Sequence, residues 1–460
     1  MAIFRLIFRD PITSGTRYQV AWLLAVSTAG IYLYFSWHHY DDPRRRDGNR
    51  GHTYIDFGGQ YLLGRMLVRG QGGHLFDRSV QRQVLQEAFP PEKQRPEQET
   101  SDAEMLMLWF VGNEDSSQSD GNGLGGPLYP PIQAFWFYPL AYFPPQVAYR
   151  IMQVLIVLGA FAAGLGIKFM SSGRIWWPMA SLAIILFPGL AGCLGLGQNS
   201  VFSLAILIWG WVLISQGRPG WGGIVWGLLA FKPVWLAAFF LFPLWTGRWR
   251  VCLAMAASGL AQFAFTLPVV SWHGWTDWLN VGAMAMRISM SDEIWIVRGR
   301  DLIGLPRRWL DFNVPAGELQ NNLTTTLVGW GLWVMVLEIT TRIASCRRCS
   351  NHYDCGPAFF FFGAWLSCLH FMYYDVLLAA LPVCLLYQGP RWPHWICHVL
   401  LLGLFLAPAL PALGWGEPPL ETFCILGLWT ASGWDLMRTE RCDNWESLLS
   451  VSGRETKTGA

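Results

Sequence analysis

The sequence predicts an all-α polytopic membrane protein, and three observations carry that prediction. Hydrophobic residues make up 53% of the chain and charged residues only 14%, against roughly 25% charged in an average soluble domain. Apolar runs long enough to cross a bilayer, about 18 residues or more, recur from residue 18 to the C-terminal region. Lys and Arg cluster in the short loops between those runs, as the positive-inside rule requires of cytoplasmic loops. The formal net charge is +2, which gives no footprint for nucleic acid. The 27 Trp read chiefly as interfacial belts and core packing, with sugar stacking open to a few of them.

In chain order, the basic start (Arg5, Arg9, Arg17) lacks a small-residue cleavage site and reads as a retained cytoplasmic segment, not a signal peptide. Residues 18–37 form the first span. Residues 38–127 form a long extracytoplasmic loop, with surface-lying amphipathic helices expected over 57–68 and 79–89. Its polar stretch, 90–126, reads as a flexible insertion. Residues 128–145 are apolar but bounded by prolines at both ends, and short for a span. Spans are expected over 146–167, 175–193 and 201–215. In 220–244, Pro233 follows Lys232 in mid-run; proline removes a backbone donor and clashes with the preceding turn, which predicts two half-helices meeting at Lys232. A span over 251–270 leads to a second polar outer loop, 271–321. Spans over 323–343, 358–370, 376–387, 392–410 and 421–436 follow, and 439–460 is read as a polar cytoplasmic tail. The total is about ten to thirteen membrane helices, forming a single transmembrane domain over 1–460.

The charged loops (Lys168/Arg174, Arg218, Arg248/Arg250, Arg342/Arg347/Arg348, Arg391, Arg438/Arg441) thread onto one side of the membrane if 220–244 is re-entrant and 128–145 does not cross. Asp56, Gln198, Asn199, Lys232, the 271–321 loop and the segment His370–Asp375 then all fall on the other side. Ionisable groups at membrane depth are tolerated where they face protein or a wet cavity, so their convergence suggests one outward-facing site.

Each group has a chemical and a structural reading. Asp56 opens an amphipathic helix. It is either a helix-capping carboxylate or a general base that takes a proton from an acceptor hydroxyl. Lys232, a lone cation in an apolar stretch, either pairs with carbonyls or meets a phosphate. Gln198 and Asn199 form a turn or offer two amides to a substrate. His370, Tyr373, Tyr374 and Asp375 bring an imidazole, two phenols and a carboxylate to one membrane face, as an aromatic belt or as part of a site. Arg298, Arg300, Arg307 and Arg308, with Asp292, Glu293 and Asp301, are a solvated loop or a cationic lid over phosphate. His273 and Asp277, beside Trp272, Trp275 and Trp278, could flank a sugar. Cys346, Cys349, His352 and Cys355 could bind zinc, but their spacing is tight and an ordinary basic loop is the plainer reading. The sequence lacks a Gly-rich phosphate loop, a Gly-x-Ser-x-Gly and a His-Glu-x-x-His, which argues against a nucleotide donor or ATP-driven transport on this chain.

Four pieces in order resemble glycosyltransferase family 87, the polyprenol-phosphate-mannose-dependent alpha-mannosyltransferases of the GT-C superfamily. They are Asp56-Phe57 with Tyr61 and Gly70; Tyr129-Pro-Pro131 with Pro139, Pro144 and Pro145; Gly197-Gln-Asn199 followed by Gly223, Gly227 and Lys232-Pro233; and Tyr374-Asp375 before an apolar helix. Gln198 adjoins Asn199 and Lys232 adjoins Pro233, where the family often has spacers. The resemblance implies a GT-C fold and an extracytoplasmic active site in a plasma or inner membrane. It also implies inversion without a required metal or other cofactor. It makes Asp56 the general base. Lys232, with Arg298 or Arg300, would hold the donor phosphate, and His370 and Asp375 would line the acceptor or sugar site. The expected partners are a polyprenyl-phosphate-hexose donor, a glycan or glycolipid acceptor, and membrane lipids. Two rivals remain: a transporter or flippase for a lipid-linked or polar solute, which broken helices around a lysine would also suit, and a non-catalytic assembly protein.

Overall fold

A computed structural model describes residues 15–41, 56–88, 128–289, 299–311, 323–346, 356–388, 393–410 and 418–452. Arg298, Asp292, Glu293, the 90–126 insertion, Cys349, His352 and Cys355 lie outside the described residues. The described chain is helical, and its one β-bridge joins Gly299 to Met372. The helices are α1 (Gly15–Asp41), α2 (Asp56–Val68), α3 (Arg78–Ala88), α4 (Pro131–Phe137), α5 (Pro145–Met170), α6 (Trp177–Ile185), α7 (Leu190–Leu196), α8 (Ser200–Ser215) and α9 (Pro219–Gly227). They continue with α10 (Pro233–Trp245), α11 (Trp249–Ser289), α12 (Leu305–Asp311), α13 (Leu323–Cys346), α14 (Gly356–Leu366), α15 (Ala380–Gln388), α16 (Trp395–Leu406) and α17 (Leu420–Ser452).

Among the described residues, α1, α5, α11 and α13 contain segments long and apolar enough to cross a membrane, and the bent pair α6–α7 adds a broken span. Six further apolar helical stretches are 10–17 residues long. The protein is an all-α polytopic membrane protein. In α1, Ala21, Ala25 and Ala29 are buried while Leu23, Leu24 and Phe35 are exposed. A stripe of small residues lets two helices approach closely, and here Trp22 meets Trp177 of α6 edge-on at 4.8 Å.

Several boundaries differ from expectation for identifiable reasons. Helix α2 does not lie on a surface. Phe57, Tyr61, Leu62, Leu63, Met66 and Leu67 are all buried, because the helix is apolar nearly all round and such a helix goes inside. The run 175–193 is not straight: α6 and α7 bend by 68° at Pro188-Gly189, where Gly189 takes φ +99°, a conformation open to glycine. The loop expected over 271–321 is helical through Ser289, since α11 continues past a kink at Ser271 (φ 64°). The tail expected from 439 is helical as far as Ser452. The half-helices at Lys232 do form: α9 passes through a 3-10 turn, Leu228–Phe231, and α10 starts at Pro233.

The core is aromatic. Trp226, Trp235, Trp365, Phe239, Phe242, Phe359, Phe361 and Phe362 are essentially inaccessible. Phe361 stacks on Phe242 at 4.1 Å and meets Trp211 and Trp226 edge-on, the geometries aromatic rings prefer. These tryptophans are packing residues.

Candidate active site

Asp56 is the first residue of α2, where the helix dipole favours a negative charge. Two glycines let that helix seat deeply. A Cβ at Gly64 would stand 2.8 Å from the backbone of Phe137, and one at Gly197 (φ +63°) would stand 2.7 Å from Cβ of Phe57. Gln60, one turn on, is fully buried and ties the site together. Its amide donates to the carbonyls of Asp56 at 3.1 Å and Gly197 at 3.4 Å. Its Oε1 accepts from Gln133 at 2.6 Å and Asn199 at 3.3 Å. Buried amides stay this ordered because an unmet polar group in an apolar interior is costly.

Gln198 and Tyr374 stand close enough to the Asp56 carboxyl to favour its charged form. Gln198 accepts from the Tyr129 hydroxyl at 2.9 Å and donates to the Tyr374 hydroxyl at 3.0 Å. Burial pushes the Asp56 carboxyl above the ordinary carboxylate value; the Gln198 hydrogen bond and the Lys232 charge oppose that and do not cancel it. A carboxylate so tuned, able to reach a proton, is what general-base chemistry needs.

Lys232 does not stand free. Its Nζ lies 2.6 Å from Oδ1 of Asp375, and both side chains are buried. Ser200 donates to the same carboxylate oxygen, and Lys232 reaches the Ser200 hydroxyl at 3.4 Å. The ammonium also lies 5.3 Å from the centre of the Tyr374 ring. Tyr374 thus joins the two halves: its hydroxyl serves Asp56 and its ring faces Lys232. Asp56, Gln198, Asn199, Lys232, Tyr374 and Asp375 form one contiguous cluster.

Arg300 and His370 belong to a neighbouring cluster. The Arg300 amide donates to Phe371 O at 2.9 Å beside the Gly299–Met372 bridge. The Arg300 guanidinium pairs with Glu421 at 3.2 Å. Asp301 meets His370 at 3.2 Å and caps the Gly304 amide at 2.7 Å. Arg308 donates to the Asp301 carbonyl at 2.8 Å, and Thr422 donates to the Arg300 carbonyl at 2.8 Å. Burial alone would raise the Asp301 carboxyl, but the His370 hydrogen bond and the His370 and Arg308 charges hold it below the ordinary value. Arg300, Asp301, Arg307 and Arg308 are all buried, so the loop read as solvated or as a lid is packed into the protein. The cluster meets the first one through the short chain segment from His370 to Asp375.

His273 and Asp277 pair at 3.5 Å with the His273 side chain 80% exposed. Trp275 packs on Phe263 and Trp278 donates to Leu128 O at 3.1 Å; these rings build helix contacts. Of the cysteine cluster, Cys346 ends α13. Among the described residues, no three His, Cys, Asp or Glu gather at metal-binding distance. Sequence reasoning gave no role to Gln60, Gln133, Ser200 or Glu421. Ser200 directly follows the Gln-Asn pair, and that adjacency was its one available signal.

A family model described as Glycosyltransferase family 87 matches residues 128–354. Tyr129, Gln198, Asn199, Ser200, Lys232 and Arg300 fall inside the matched stretch, while Asp56, Tyr374 and Asp375 come to it from either side in the fold. No curated protein and no solved structure matches the chain.

Proposed function

The chain belongs to glycosyltransferase family 87, and from that premise we propose that this membrane glycosyltransferase moves a hexose, mannose in the first instance, from a polyprenyl phosphate to a glycan or glycolipid outside the cytoplasm. The observation that carries the reading is one buried network: Gln60 ties the Asp56 turn to Gly197 and Asn199, and Gln198 bonds the hydroxyl of Tyr374, whose ring lies beside the Lys232–Asp375 pair. A base and a cation one side chain apart suit a reaction in which a hydroxyl loses a proton as a phosphate leaves.

In this mechanism the acceptor oxygen attacks the anomeric carbon from the face opposite the phosphate, and Asp56 takes its proton. The bond from that carbon to the phosphate oxygen breaks, and the electron pair leaves with the lipid phosphate. The configuration inverts. Lys232 stabilises the developing charge, with Asp375 holding its ammonium until phosphate arrives; preorganised charge at a leaving group is the largest usual source of rate. Arg298 or Arg300 supports the phosphate from the outer loop. Gln198 and Asn199 orient the base and the sugar, and His370 and Asp375 line the acceptor or sugar site. The reaction as drawn uses no metal or other cofactor. The fold proposed is of GT-C type, a single unit over 1–460 in a plasma or inner membrane, with outer loops over 38–127 and 271–321, the latter carrying the α11 extension.

Transfer from radiolabelled polyprenyl-phosphate-mannose to a crude lipid acceptor extract in proteoliposomes tests this. Loss of a general base costs roughly 10²–10⁴-fold in rate, so Asp56→Asn should fall by that much while keeping its helical spectrum. Equal transfer by both proteins removes Asp56 from the mechanism. If wild type transfers no polyprenyl-phosphate sugar, the half-helices meeting at Lys232 favour a flippase, which a lipid-flipping assay then decides.

A further inference from the structure

The part of α11 beyond Ser271 folds back on the part before it. Trp275 donates to the Thr266 hydroxyl at 3.1 Å, and its ring lies 4.7 Å from that of Phe263. Nine residues of straight helix span about 13.5 Å, beyond an indole's reach, so the kink at Ser271 is what brings these groups together. Trp278 meets Trp275 edge-on at 5.6 Å and donates to the Leu128 carbonyl at 3.1 Å. That oxygen belongs to the planar peptide that carries the Tyr129 nitrogen, and Pro130 restricts the Tyr129 backbone from the other side. The Tyr129 hydroxyl meets both ends of the Gln198 amide: it donates to Oε1 at 2.9 Å and accepts from Nε2 at 2.7 Å, as one hydroxyl can. Gln198 is fully buried, and it favours the charged form of Asp56.

We propose that Trp278 and Tyr129 are positioning residues for sugar transfer: the folded-back end of α11 holds Tyr129, Tyr129 holds the Gln198 amide, and the amide holds Asp56 ready for the acceptor hydroxyl. This rests on the reading of Asp56 as the general base. A glutamine side chain has several rotamers, so an amide that must stay beside one carboxyl needs to be fixed in sense and in place. The Asn199 N–H, 3.2 Å from Oε1, sets which end of the amide is which. Tyr129, nearer to both atoms, sets where the amide stands. Asp56 is also faced by Lys232 from between the half-helices and by Tyr374 and Asp375 from the segment before α15. Substitution of Tyr129 or Trp278 leaves those three groups unchanged, so its effect on Asp56 reports the amide.

Infrared difference spectroscopy on the full chain tests this without a substrate. The protonated-carboxyl band that disappears in Asp56→Asn identifies Asp56 and gives its titration midpoint. Tyr129→Phe should raise that midpoint, because a displaced amide no longer favours the carboxylate. In a Gln198→Met background the same substitution should raise it no further, since two residues acting through one contact are not additive. Trp278→Phe keeps an aromatic ring and loses the N–H; it should raise the midpoint less, and not at all on top of Tyr129→Phe. A midpoint unmoved by either single substitution overturns the proposal. So does an equal rise with and without Gln198, which would mean that Tyr129 acts on Asp56 directly. In the transfer assay, kcat should fall about tenfold in Tyr129→Phe, the scale of one hydrogen bond, with the KM for the donor little changed; an unchanged kcat beside a moved midpoint also overturns the proposal. Absence of transfer by the wild type would count against the donor reading, and the titration alone would then decide whether Trp278 and Tyr129 hold the amide.

Discussion

Asp56 is held by residues that act on its proton affinity in opposite directions, and this makes its environment testable by pH. Burial raises the carboxyl, and the Gln198 amide lowers it by favouring the charged form. A base works only when deprotonated, so activity is lost as pH falls through the Asp56 value, which burial raises from its ordinary value. Gln198→Met removes the opposing hydrogen bond and should move the acid limb of kcat/KM to higher pH; a limb that stays or moves down would contradict the role given to Gln198. The Lys232–Asp375 pair makes a second prediction. With both side chains buried, Lys232→Met leaves an uncompensated carboxylate, and breaking a buried pair costs about 3–5 kcal/mol. Thermal unfolding in detergent should show that loss. The double variant Lys232→Met with Asp375→Leu should recover most of the stability and none of the transfer, since it removes both charges but restores no cation. Recovery of transfer would make the pair purely structural.

At the scale of elements, the site depends on backbones that touch. Gly197 places the Gln198-Asn199 turn against the first turn of α2, with φ at +63° and no room for a Cβ beside Phe57. Gly197→Ala meets both a left-handed backbone and a neighbour that must move. The first costs of order 1–3 kcal/mol, and the second shifts the turn of α2 that carries Asp56. Transfer should therefore fall by more than the folded fraction does, read as kcat for the purified, folded protein beside its melting temperature. A kcat that matches wild type would show that the approach of α2 to this turn is irrelevant to the reaction. The same contacts explain what the sequence could and could not disclose. Lys232-Pro233 announces a broken helix because proline acts locally, and the broken helix is there. Asp56 at a helix start was legible from its place before an apolar run. Its partners were not, because Gln60, Gln133 and Ser200 look like ordinary polar residues until the fold brings distant segments together. The burial of α2 follows from its nearly all-round apolar sequence, but which element covers it, α4, shows only in the fold. The extension of α11 past Ser271 was missed because its polar residues read as loop, whereas Trp275 and Trp278 pack against neighbours and hold it helical.

For the molecule as a whole, the helix directions sort the charged loops to one end. Gly159 of α5 lies against Val201 and Phe202 of α8, and Gly166 lies against Ile208 and Trp209, so α5 and α8 run parallel. Both lead away from Ser200, toward Lys168 and Arg218. Helix α9 returns, with Gly222 against Ile214 and Trp226 against Gly210, and delivers the chain to Lys232. Helix α10 then goes back, ending where Trp245 donates to Thr341 at 3.0 Å, beside Arg342 of α13, and where Arg248 sits 5.4 Å from the Trp211 ring. Lys168, Arg218, Arg248 and Arg342 thus share one end of the bundle, with α9 and α10 running antiparallel. The reactive cluster sits at the other ends of the same helices. Gly72, after α2, lies against Val269, near the end of the α11 span remote from Arg248, so His74 is on the cluster's side. The positive-inside rule would make the basic end cytoplasmic, and the proposed reading then turns the cluster outward. Single cysteines at His74 and Arg218 test this in intact cells with a membrane-impermeant maleimide, the ten native cysteines of the unsubstituted chain setting the background. His74→Cys should label in intact cells and Arg218→Cys only after permeabilisation. The reverse pattern would turn the molecule over, put the Asp56 cluster against the cytoplasm, and remove the reason for a lipid-phosphate donor, since a cytoplasmic site has nucleotide sugars within reach.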